Sequence, residues 1–351
     1  MKKILHLFRT SQFTKDFIEL INQYYNPDSH IFWVYGESFF DYLDKSMIQF
    51  NNVVYIPRID ILLNKDSVVK QLEEFELIIY HGLFDENIIN FFGLHKHLVN
   101  KLGLYFWGGD KKPAAFWDED SKERYRYVIQ NAAKIITIIE EDYKSICDDY
   151  GPCGEHYTVV YGGCYDYGEL EYEDIIYGQP INVQIGNSAT VSNNHIKVLK
   201  ELEKYKNENI RIWLPLSYGD REYAKKVIDF GQKVFGTKFI AMERYMPEKQ
   251  YNELLKSMNV GIFDIDRQQA LGNITSLLES GCKIFLKKDT MLARYFENEC
   301  GCKIFYMEDI SRMEFRQFIK YSKKEACGNK EKLDRFFDID RITEVWNKIF
   351  D

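Results

Sequence analysis

INVQIGNS, at residues 181–188, decides the fold, because its five apolar-patterned residues run directly into a turn of small residues. Thr190, Ser192 and Asn193 then offer side-chain oxygens that cap a helix predicted from about Asn194. Free backbone N–H groups at such a turn, with the positive end of the helix dipole, suit an anion such as phosphate. The stretch is neither GxGxxG nor a P-loop, which counts against dinucleotide dehydrogenases and NTPases. An ordinary strand-to-helix turn stays open as the alternative.

Short apolar runs alternate with helix-period stretches on both sides of this motif, in two series. The first series predicts strands at Ile4–Phe8, Ile31–Tyr35, Val53–Ile56, Leu77–Tyr80, Leu102–Phe106, Ile135–Ile139 and Tyr157–Tyr161. The second predicts strands at Ile181–Ile185, Ile210–Leu214, Lys238–Ala241, Val260–Phe263, Lys283–Leu286 and Lys303–Tyr306. Alternation of this kind indicates an α/β fold with parallel sheets and helices on both faces.

The chain of 351 residues is long enough for two domains, at about 150 residues per domain. A polar, acidic, tyrosine-rich stretch without a clear period separates the two series and is interpreted as a hinge. The predicted division is a first domain over 1–165, a hinge over 166–180, a second domain over 181–325 and a helical tail over 326–351. A twin α/β architecture allows that tail to cross back to the first domain.

The composition indicates which binding partners and which cellular compartment are expected. Lys and Arg total 46 against 54 Asp and Glu, a net charge of −8, which argues against nucleic acid as a partner but not against one local phosphate group. The seven cysteines are odd in number and form no CxxC pair, so a reducing cytoplasm is expected. The sequence contains no run of 18 apolar residues, so it predicts no membrane span.

A second motif, DIDRQQALGN at 264–273, follows the predicted strand Val260–Phe263. Ligands of open α/β sheets bind at the carboxyl ends of strands, and Arg267 is suited to pair with a diphosphate near the turn at Gly272. Asp264 and Asp266 form a D-x-D sequence, in which two carboxylates are able to bind one divalent metal ion. Acidic residues at strand ends are nevertheless common, and alternate residues of an extended chain face opposite ways.

Two further motifs end neighbouring strands of the first series, YHG at 80–82 and WGGD at 107–110. If those strands are parallel, His81 and Asp110 lie at the same sheet edge, where either is able to deprotonate an attacking hydroxyl. The alternatives are a buried, hydrogen-bonded histidine and a helix-capping aspartate. Pro and Gly also bracket a polar turn after the strand at 210–214, for which an ordinary loop is the favoured interpretation.

Taken together and in this order, these motifs resemble the bacterial TDP-N-acetylfucosamine:lipid II N-acetylfucosaminyltransferases, the 4-alpha-L-fucosyltransferase family. The resemblance spans about residues 75 to 300. It rests on YHG at Tyr80–Gly82, WGGD at Trp107–Asp110, IGNS at Ile185–Ser188, SNNHI at Ser192–Ile196, the turn Pro215–Gly219, YNELL at Tyr251–Leu255 and RQQALGN at Arg267–Asn273.

The resemblance implies a GT-B glycosyltransferase, in which two Rossmann-like domains with parallel sheets face each other across a cleft. The second domain would hold a dTDP-sugar without an obligatory metal or other cofactor. The implied donor-binding residues are Gly186, Asn187, Ser188, Asn194, His195, Pro215, Ser217, Tyr218, Arg267, Gln268, Gln269, Gly272 and Asn273. The first domain would receive the acceptor through Gly82, Trp107, Gly108 and Gly109, with Asp110 as the base and His81 as the alternative. If the reaction retains configuration, both would position the acceptor instead.

The expected activity is transfer of a deoxy or acetamido sugar, N-acetylfucosamine-like, to a lipid-linked or oligosaccharide acceptor in bacterial surface polysaccharide synthesis. A lipid-linked acceptor implies peripheral contact with the cytoplasmic face of the inner membrane, with Lys111 and Lys112 as candidate contacts. Two alternatives stay open. One is a non-catalytic protein that binds sugar nucleotides or glycans on the same fold, and the other is a sugar-nucleotide 2-epimerase-like enzyme.

Overall fold

The computed structural model of the chain describes residues 2–36, 50–161, 170, 172 and 178–351. The chain forms two compact units, of which the first comprises Met1–Cys164 with Phe337–Asp351 and the second Tyr165–Phe336. Most of the stretch interpreted as a hinge, 166–180, lies outside the described residues.

The first unit contains one parallel sheet. In the described residues its strands are β1 (Ile4–Arg9), β2 (His30–Tyr35), β3 (Val53–Ile56), β4 (Leu77–His81), β5 (Leu102–Phe106), β6 (Lys134–Thr137) and β7 (Glu155–Thr158). They pair in the order β3-β2-β1-β4-β5-β6-β7, and every neighbouring pair is parallel. The predicted strands of this series are therefore confirmed, with ends displaced by a few residues.

Helices cover both faces of this sheet because successive strand residues point to opposite sides. Leu5 and Leu7 enter one apolar core, whereas Ile4 and Phe8 enter the other. The described helices of this unit are α1 (Gln12–Tyr24), α2 (Ile59–Leu63), α3 (Asp66–Glu73), α4 (Glu86–Leu94), α5 (Glu119–Asn131), α6 (Glu140–Tyr150) and the chain-terminal α14 (Ile339–Phe350).

The end of the chain packs on the first unit. Trp346 of α14 is fully buried, with its ring centroid 4.9 Å from that of Phe17, and its indole N–H donates to the carbonyl oxygen of Val160 at 3.4 Å. The preceding helix, α13 (Lys323–Phe336), belongs to the second unit instead, where Lys330 donates to Glu279 at 3.2 Å. The expected tail over 326–351 is thus divided between the two units.

The second unit repeats the arrangement. Its strands in the described residues are β8 (Ile181–Ile185), β9 (Ile210–Pro215), β10 (Phe239–Met242), β11 (Val260–Phe263), β12 (Lys283–Leu286) and β13 (Phe305–Tyr306). They form a parallel sheet in the order β10-β9-β8-β11-β12-β13. The other described helices of this unit are α7 (His195–Leu202), α8 (Arg221–Phe235), α9 (Glu248–Lys256), α10 (Leu271–Glu279), α11 (Met291–Arg294) and α12 (Phe315–Ile319).

Both sheets reverse their strand order between the first strand and the fourth. The reversal lies between β1 and β4 in one unit and between β8 and β11 in the other. Open α/β sheets bind ligands outside the carboxyl ends of the strands at such a switch point. In the second unit this places the residues after Ile185 beside those after Phe263, and in the first unit it places the residues after Arg9 beside those after His81.

Among the described residues, no helix is both long enough and apolar enough to cross a bilayer.

Candidate functional site

The two best sequence motifs meet at the switch point of the second unit. The N–H of Gly186, directly after β8, donates to the carbonyl oxygen of Ile262 in β11 at 3.0 Å. Gly186 has a φ of +62°, and a Cβ there would lie 2.5 Å from Oδ1 of Asn193 and 2.7 Å from Nε2 of His195. Only glycine allows the loop to approach these side chains so closely.

A polar network joins the loop after β8 to the loop after β11. The amide nitrogen of Gln269 donates to Oδ1 of Asn187 at 2.8 Å and to the Ser188 hydroxyl at 3.2 Å. The Ser192 hydroxyl donates in return to Oε1 of Gln269 at 2.9 Å. Three residues predicted to bind the donor, Asn187, Ser188 and Gln269, are therefore in direct contact.

The turn after β9 reaches the same network. The amide of Asn187 donates to the Tyr218 hydroxyl at 3.1 Å, and the N–H of Ala189 donates to the carbonyl oxygen of Tyr218 at 2.8 Å. Ser217 is exposed beside it, whereas Pro215 is buried at the end of β9. Tyr218 thus lies at the switch point, while Pro215 supports the turn from below the surface.

His195, the first residue of α7, is fully buried and has one ring nitrogen without a hydrogen bond. Its backbone N–H donates to the Tyr223 hydroxyl at 3.2 Å, and the same hydroxyl lies 3.3 Å from Nδ1 of the ring. We assign the hydroxyl as the donor to Nδ1, which leaves the ring proton on Nε2, and that nitrogen has no partner among the described residues. Burial lowers the pKa of His195 to about 4, so the ring is neutral at pH 7.

Unsatisfied buried polar atoms are concentrated at this switch point. Among the described residues, six side chains have a buried nitrogen or oxygen without a hydrogen bond, and four of them lie here: Gln184, His195, Asp264 and Gln268. One Asp264 oxygen nevertheless makes an ion pair with Lys197 at 2.7 Å. Because buried polar groups are almost always hydrogen-bonded, such a concentration points to a ligand site.

The residues around α10 correct the predicted turn, because Gly272 and Asn273 both lie in the first turn of that helix. Asn273 accepts a hydrogen bond from the Tyr251 hydroxyl and a second from the Gln184 amide at 3.3 Å. Gly272 does not form the turn, because it lies in the first turn of α10. The left-handed residue that opens the helix is Ala270, with a φ of +64°. Asn194, also left-handed, donates from its side chain to the carbonyl oxygen of Asp264 at 2.8 Å.

Charge at this edge comes from Arg267 and from two lysine–aspartate pairs. Arg267 is exposed and has no hydrogen bond or ion pair with the described residues. Asp264 is buried against Lys197, whereas Asp266 is exposed and pairs with Lys287. The two carboxylates of the D-x-D sequence therefore differ in exposure and each faces its own lysine, so they do not form a joint metal-binding pair in this arrangement.

In the first unit, His81 and Asp110 are both buried. The carboxylate of Asp110 accepts hydrogen bonds from the N–H groups of Leu83 and Trp107, both at 2.8 Å, and so ties the loop after β4 to the loop after β5. Burial raises the pKa of Asp110 to about 6. His81 uses both ring nitrogens, one to Tyr161 and one to His6. Neither side chain reaches the surface, which favours positioning over proton abstraction.

His81 belongs to a continuous chain of hydrogen bonds through the core. Because an indole nitrogen only donates, Trp107 Nε1 donates to the Tyr161 hydroxyl at 2.9 Å, and the same hydroxyl is hydrogen-bonded to Nδ1 of His81 at 2.7 Å. Nε2 of His81 is hydrogen-bonded to Nδ1 of His6 at 3.1 Å, and Nε2 of His6 to Nδ1 of His30 at 3.0 Å. Burial lowers the pKa of all three histidines, that of His30 to about 4, so each is neutral.

Sequence reasoning missed several members of these sites. His6 and Gln184 are polar residues inside otherwise apolar strands, and that interruption was the available signal. Tyr161 and His30 had no local signal, since their roles depend on strand order. Trp107, Gly82, Gly108 and Gly109 do lie together at the carboxyl edge of β4 and β5, as the parallel strands required.

Solved structures of low sequence identity share this fold over nearly the whole chain. Anabaena HepE in complex with UDP and glucose has a TM-score of 0.70 at 11% identity, with 99% of each chain covered. A glycosyltransferase from Rickettsia africae has a TM-score of 0.71 at 10% identity, covering 99% of this chain and 97% of that one. An alpha,alpha-trehalose-phosphate synthase (UDP-forming) from Burkholderia vietnamiensis has a TM-score of 0.60 at 10% identity, covering 100% and 99%. The fold is the GT-B fold of two Rossmann-like domains.

The fold together with the family match defines the class of the protein as a glycosyltransferase. Residues 170–349 match the model of the 4-alpha-L-fucosyltransferases, glycosyl transferase group 56. The chain belongs to this family. It is therefore a transferase enzyme, rather than the non-catalytic binding protein or the epimerase that the sequence left open.

Proposed function

We propose that this enzyme transfers a deoxy or acetamido sugar, N-acetylfucosamine-like, from a dTDP-sugar to a lipid-linked or oligosaccharide acceptor in bacterial surface polysaccharide synthesis. The observation that carries the donor part is the concentration of buried, unsatisfied polar atoms at the switch point of the second unit. Family membership supports the sugar class. HepE, with the same fold, is in complex with UDP-glucose, which supports a nucleotide-sugar donor.

The diphosphate is assigned to the loop of Gly186, Asn187 and Ser188. Gly186 brings the backbone close to the start of α7, and Nε2–H of His195 is a neutral donor without a partner. Arg267 supplies the positive charge beside this loop, because its side chain is exposed and has no ion pair with the described residues. Preorganised donors of this kind stabilise the negative charge that develops on the leaving diphosphate. Gln268 and Gln269 are assigned to the sugar, and Ser217 and Tyr218 to the base.

The reaction forms a bond between the acceptor oxygen and the anomeric carbon and breaks the bond between that carbon and the diphosphate oxygen. The hydroxyl proton has to leave the acceptor. His81 and Asp110 are buried and hydrogen-bonded, so we assign them to positioning and assign the proton to the departing diphosphate. Positioning by both residues is the alternative that the sequence left open for a reaction that retains configuration.

We propose that transfer needs no metal. Asp264 and Asp266 are each neutralised by a lysine, and Arg267 with the helix ends supplies the positive field that a metal supplies in other transferases. EDTA is therefore expected to leave donor binding and turnover unchanged.

We propose a cytoplasmic enzyme that meets a lipid-linked acceptor by peripheral contact with the inner membrane. Lys111 does not support that contact, because it pairs with the buried Asp142 at 2.5 Å. Lys112, whose side chain is 71% exposed, makes only a surface ion pair with Asp149 at 3.4 Å and stays the candidate contact.

The test is a panel of dTDP-, UDP- and GDP-sugars, measured first by thermal shift and then by transfer to lipid-linked acceptors, with and without EDTA. A dTDP-sugar is expected to raise the melting temperature most. Arg267→Ala is expected to weaken donor binding about tenfold, the effect of one charge-assisted contact. Arg211→Ala, an exposed arginine at the opposite end of β9, is the matched control and should bind as the wild type does. If no nucleotide sugar stabilises the protein, the proposed function is wrong.

A further inference from the structure

Three aromatic side chains stand together at the carboxyl edge of the first sheet. Phe13 lies at the start of α1, Phe84 follows β4, and Trp107 follows β5. The ring centroids of Phe13 and Phe84 are each 5.9 Å from that of Trp107. Phe13 is 36% exposed and Phe84 38%, so both rings offer surface to a ligand. We call these three residues the aromatic platform.

Glycines at the edge of the platform keep the backbone close to the rings. Gly82 has a φ of +77°, and a Cβ there would lie 3.1 Å from the Phe84 ring and 3.3 Å from the Trp107 ring. Beside the rings, the backbone N–H groups of Gly108 and Gly109 have no hydrogen-bond acceptor among the described residues. The platform therefore combines apolar ring surface with unused donors at its edge.

Trp107 is held in place from below. Its indole N–H donates to Tyr161, which is the first member of the chain through His81, His6 and His30. Asp110 fixes the backbone of the same residue by accepting its N–H. A side chain fixed at both backbone and ring loses little conformational entropy when a ligand binds.

We propose that the aromatic platform stacks on the C–H face of a pyranose ring of the acceptor, while the N–H groups of Gly108 and Gly109 donate to hydroxyl oxygens at that ring's rim. The proposal rests on the proposed function, because it names the acceptor subsite of the same reaction. The rings of Phe13 and Phe84 are inclined at 78° and 62° to that of Trp107, so they flank the indole and do not extend it as a flat surface. Apolar ring surface with donors at its edge matches a sugar, which has one C–H face and polar substituents around it. An alkyl chain would have no use for the two donors.

The experiment is saturation-transfer NMR with three probes, the methyl β-pyranosides of glucose, galactose and N-acetylglucosamine, with octyl β-glucoside as a fourth. We expect the wild type to transfer saturation to the C–H protons of one ring face of at least one methyl glycoside. Phe84→Ser and Trp107→Ala should each reduce that signal at least fivefold. Phe116→Ala is the matched control and should keep the signal, since Phe116 is 86% exposed further along the same connection between β5 and α5.

Trp107→Phe separates stacking from folding. It keeps an aromatic ring but loses the donor to Tyr161, so we expect an intermediate signal from a first unit that still unfolds cooperatively. The proposal is overturned if no methyl glycoside shows transfer, if the platform variants keep the wild-type signal, or if only the octyl chain of the fourth probe is saturated. Nucleotide-sugar binding, measured by thermal shift on the same samples, reports separately on the proposed function.

Discussion

Asp110, which the sequence suggested as a catalytic base, has a structural role: its carboxylate connects two loops of the first unit. Each of its carboxylate oxygens accepts a backbone N–H, one from Leu83 and one from Trp107, and the side chain is buried. A carboxylate is the only side chain of this size that accepts on both sides, since an amide has one acceptor and one donor end. Asp110 therefore sets the distance between the loop after β4 and the loop after β5.

Asp110→Asn places an amide N–H against a backbone N–H. We expect the free energy of unfolding of the first unit to fall by about 1–3 kcal/mol, the cost of an unsatisfied buried donor. Donor binding to the second unit should be unchanged. Denaturant unfolding measures the effect, with Asp338→Asn as the control because asparagine also caps helices well. Full stability together with lost turnover would instead restore Asp110 as the base.

Gly186→Ala tests the close approach in the second unit. The added Cβ would meet Asn193 and His195 below 3.0 Å, so the loop has to open and donor affinity should fall more than tenfold. Gly236→Ala is the matched control. It has a similar φ of +56°, but its Cβ would meet nothing within 4 Å. Calorimetric titration with a dTDP-sugar compares the two, and equal affinities would show that the loop does not bind the donor.

At the scale of elements, β1, β2 and β4 are joined across their faces by three neutral histidines. Each hydrogen bond between two imidazole rings contains one proton, so protonation of His6, which is bonded to a histidine on both sides, places two donors against each other. Helices α1 and α14 cover this chain with Phe17, Trp346 and Phe350. These hydrogen bonds thus connect the interior of the first sheet to the loop of Trp107.

This arrangement predicts that acid destabilises the first unit. The pKa of His30 is about 4 in the folded protein and 6.5 when unfolded, so its contribution is complete above pH 6.5 and is lost as the pH falls toward 4. The loss amounts to about 3 kcal/mol at the low end. Asp110, whose pKa is raised to about 6, acts in the opposite direction over part of this range.

A variant that keeps Asp110 but lacks His30 measures how much His30 contributes to the pH dependence of the free energy of unfolding. His30→Asn retains an acceptor near His6 without a titrating group. Urea unfolding between pH 7 and pH 4 should give a steeper loss of free energy for the wild type than for His30→Asn. Parallel curves would show that His30 does not titrate with folding.

For the whole molecule, the architecture could be predicted well from the sequence, whereas the sites could be predicted only in part. Continuous apolar strands such as Leu102–Phe106 predict a buried parallel sheet because few other structures bury both faces of a strand. The IGNS and RQQ motifs follow neighbouring strands of one sheet, so strand order brought them together. The histidine chain was not predictable, because His6, His30 and His81 are distant in sequence and meet only once β1 lies between β2 and β4.

Binding of a nucleoside diphosphate at the switch point of the second unit is the property on which the proposed function depends most. Hydrogen–deuterium exchange of the full chain with and without dTDP, in EDTA, locates that site directly. We expect slower exchange in 185–195 and 264–273, and no change in the loops at 82–85 and 107–110. Protection confined to the first unit, or no protection at all, would contradict it.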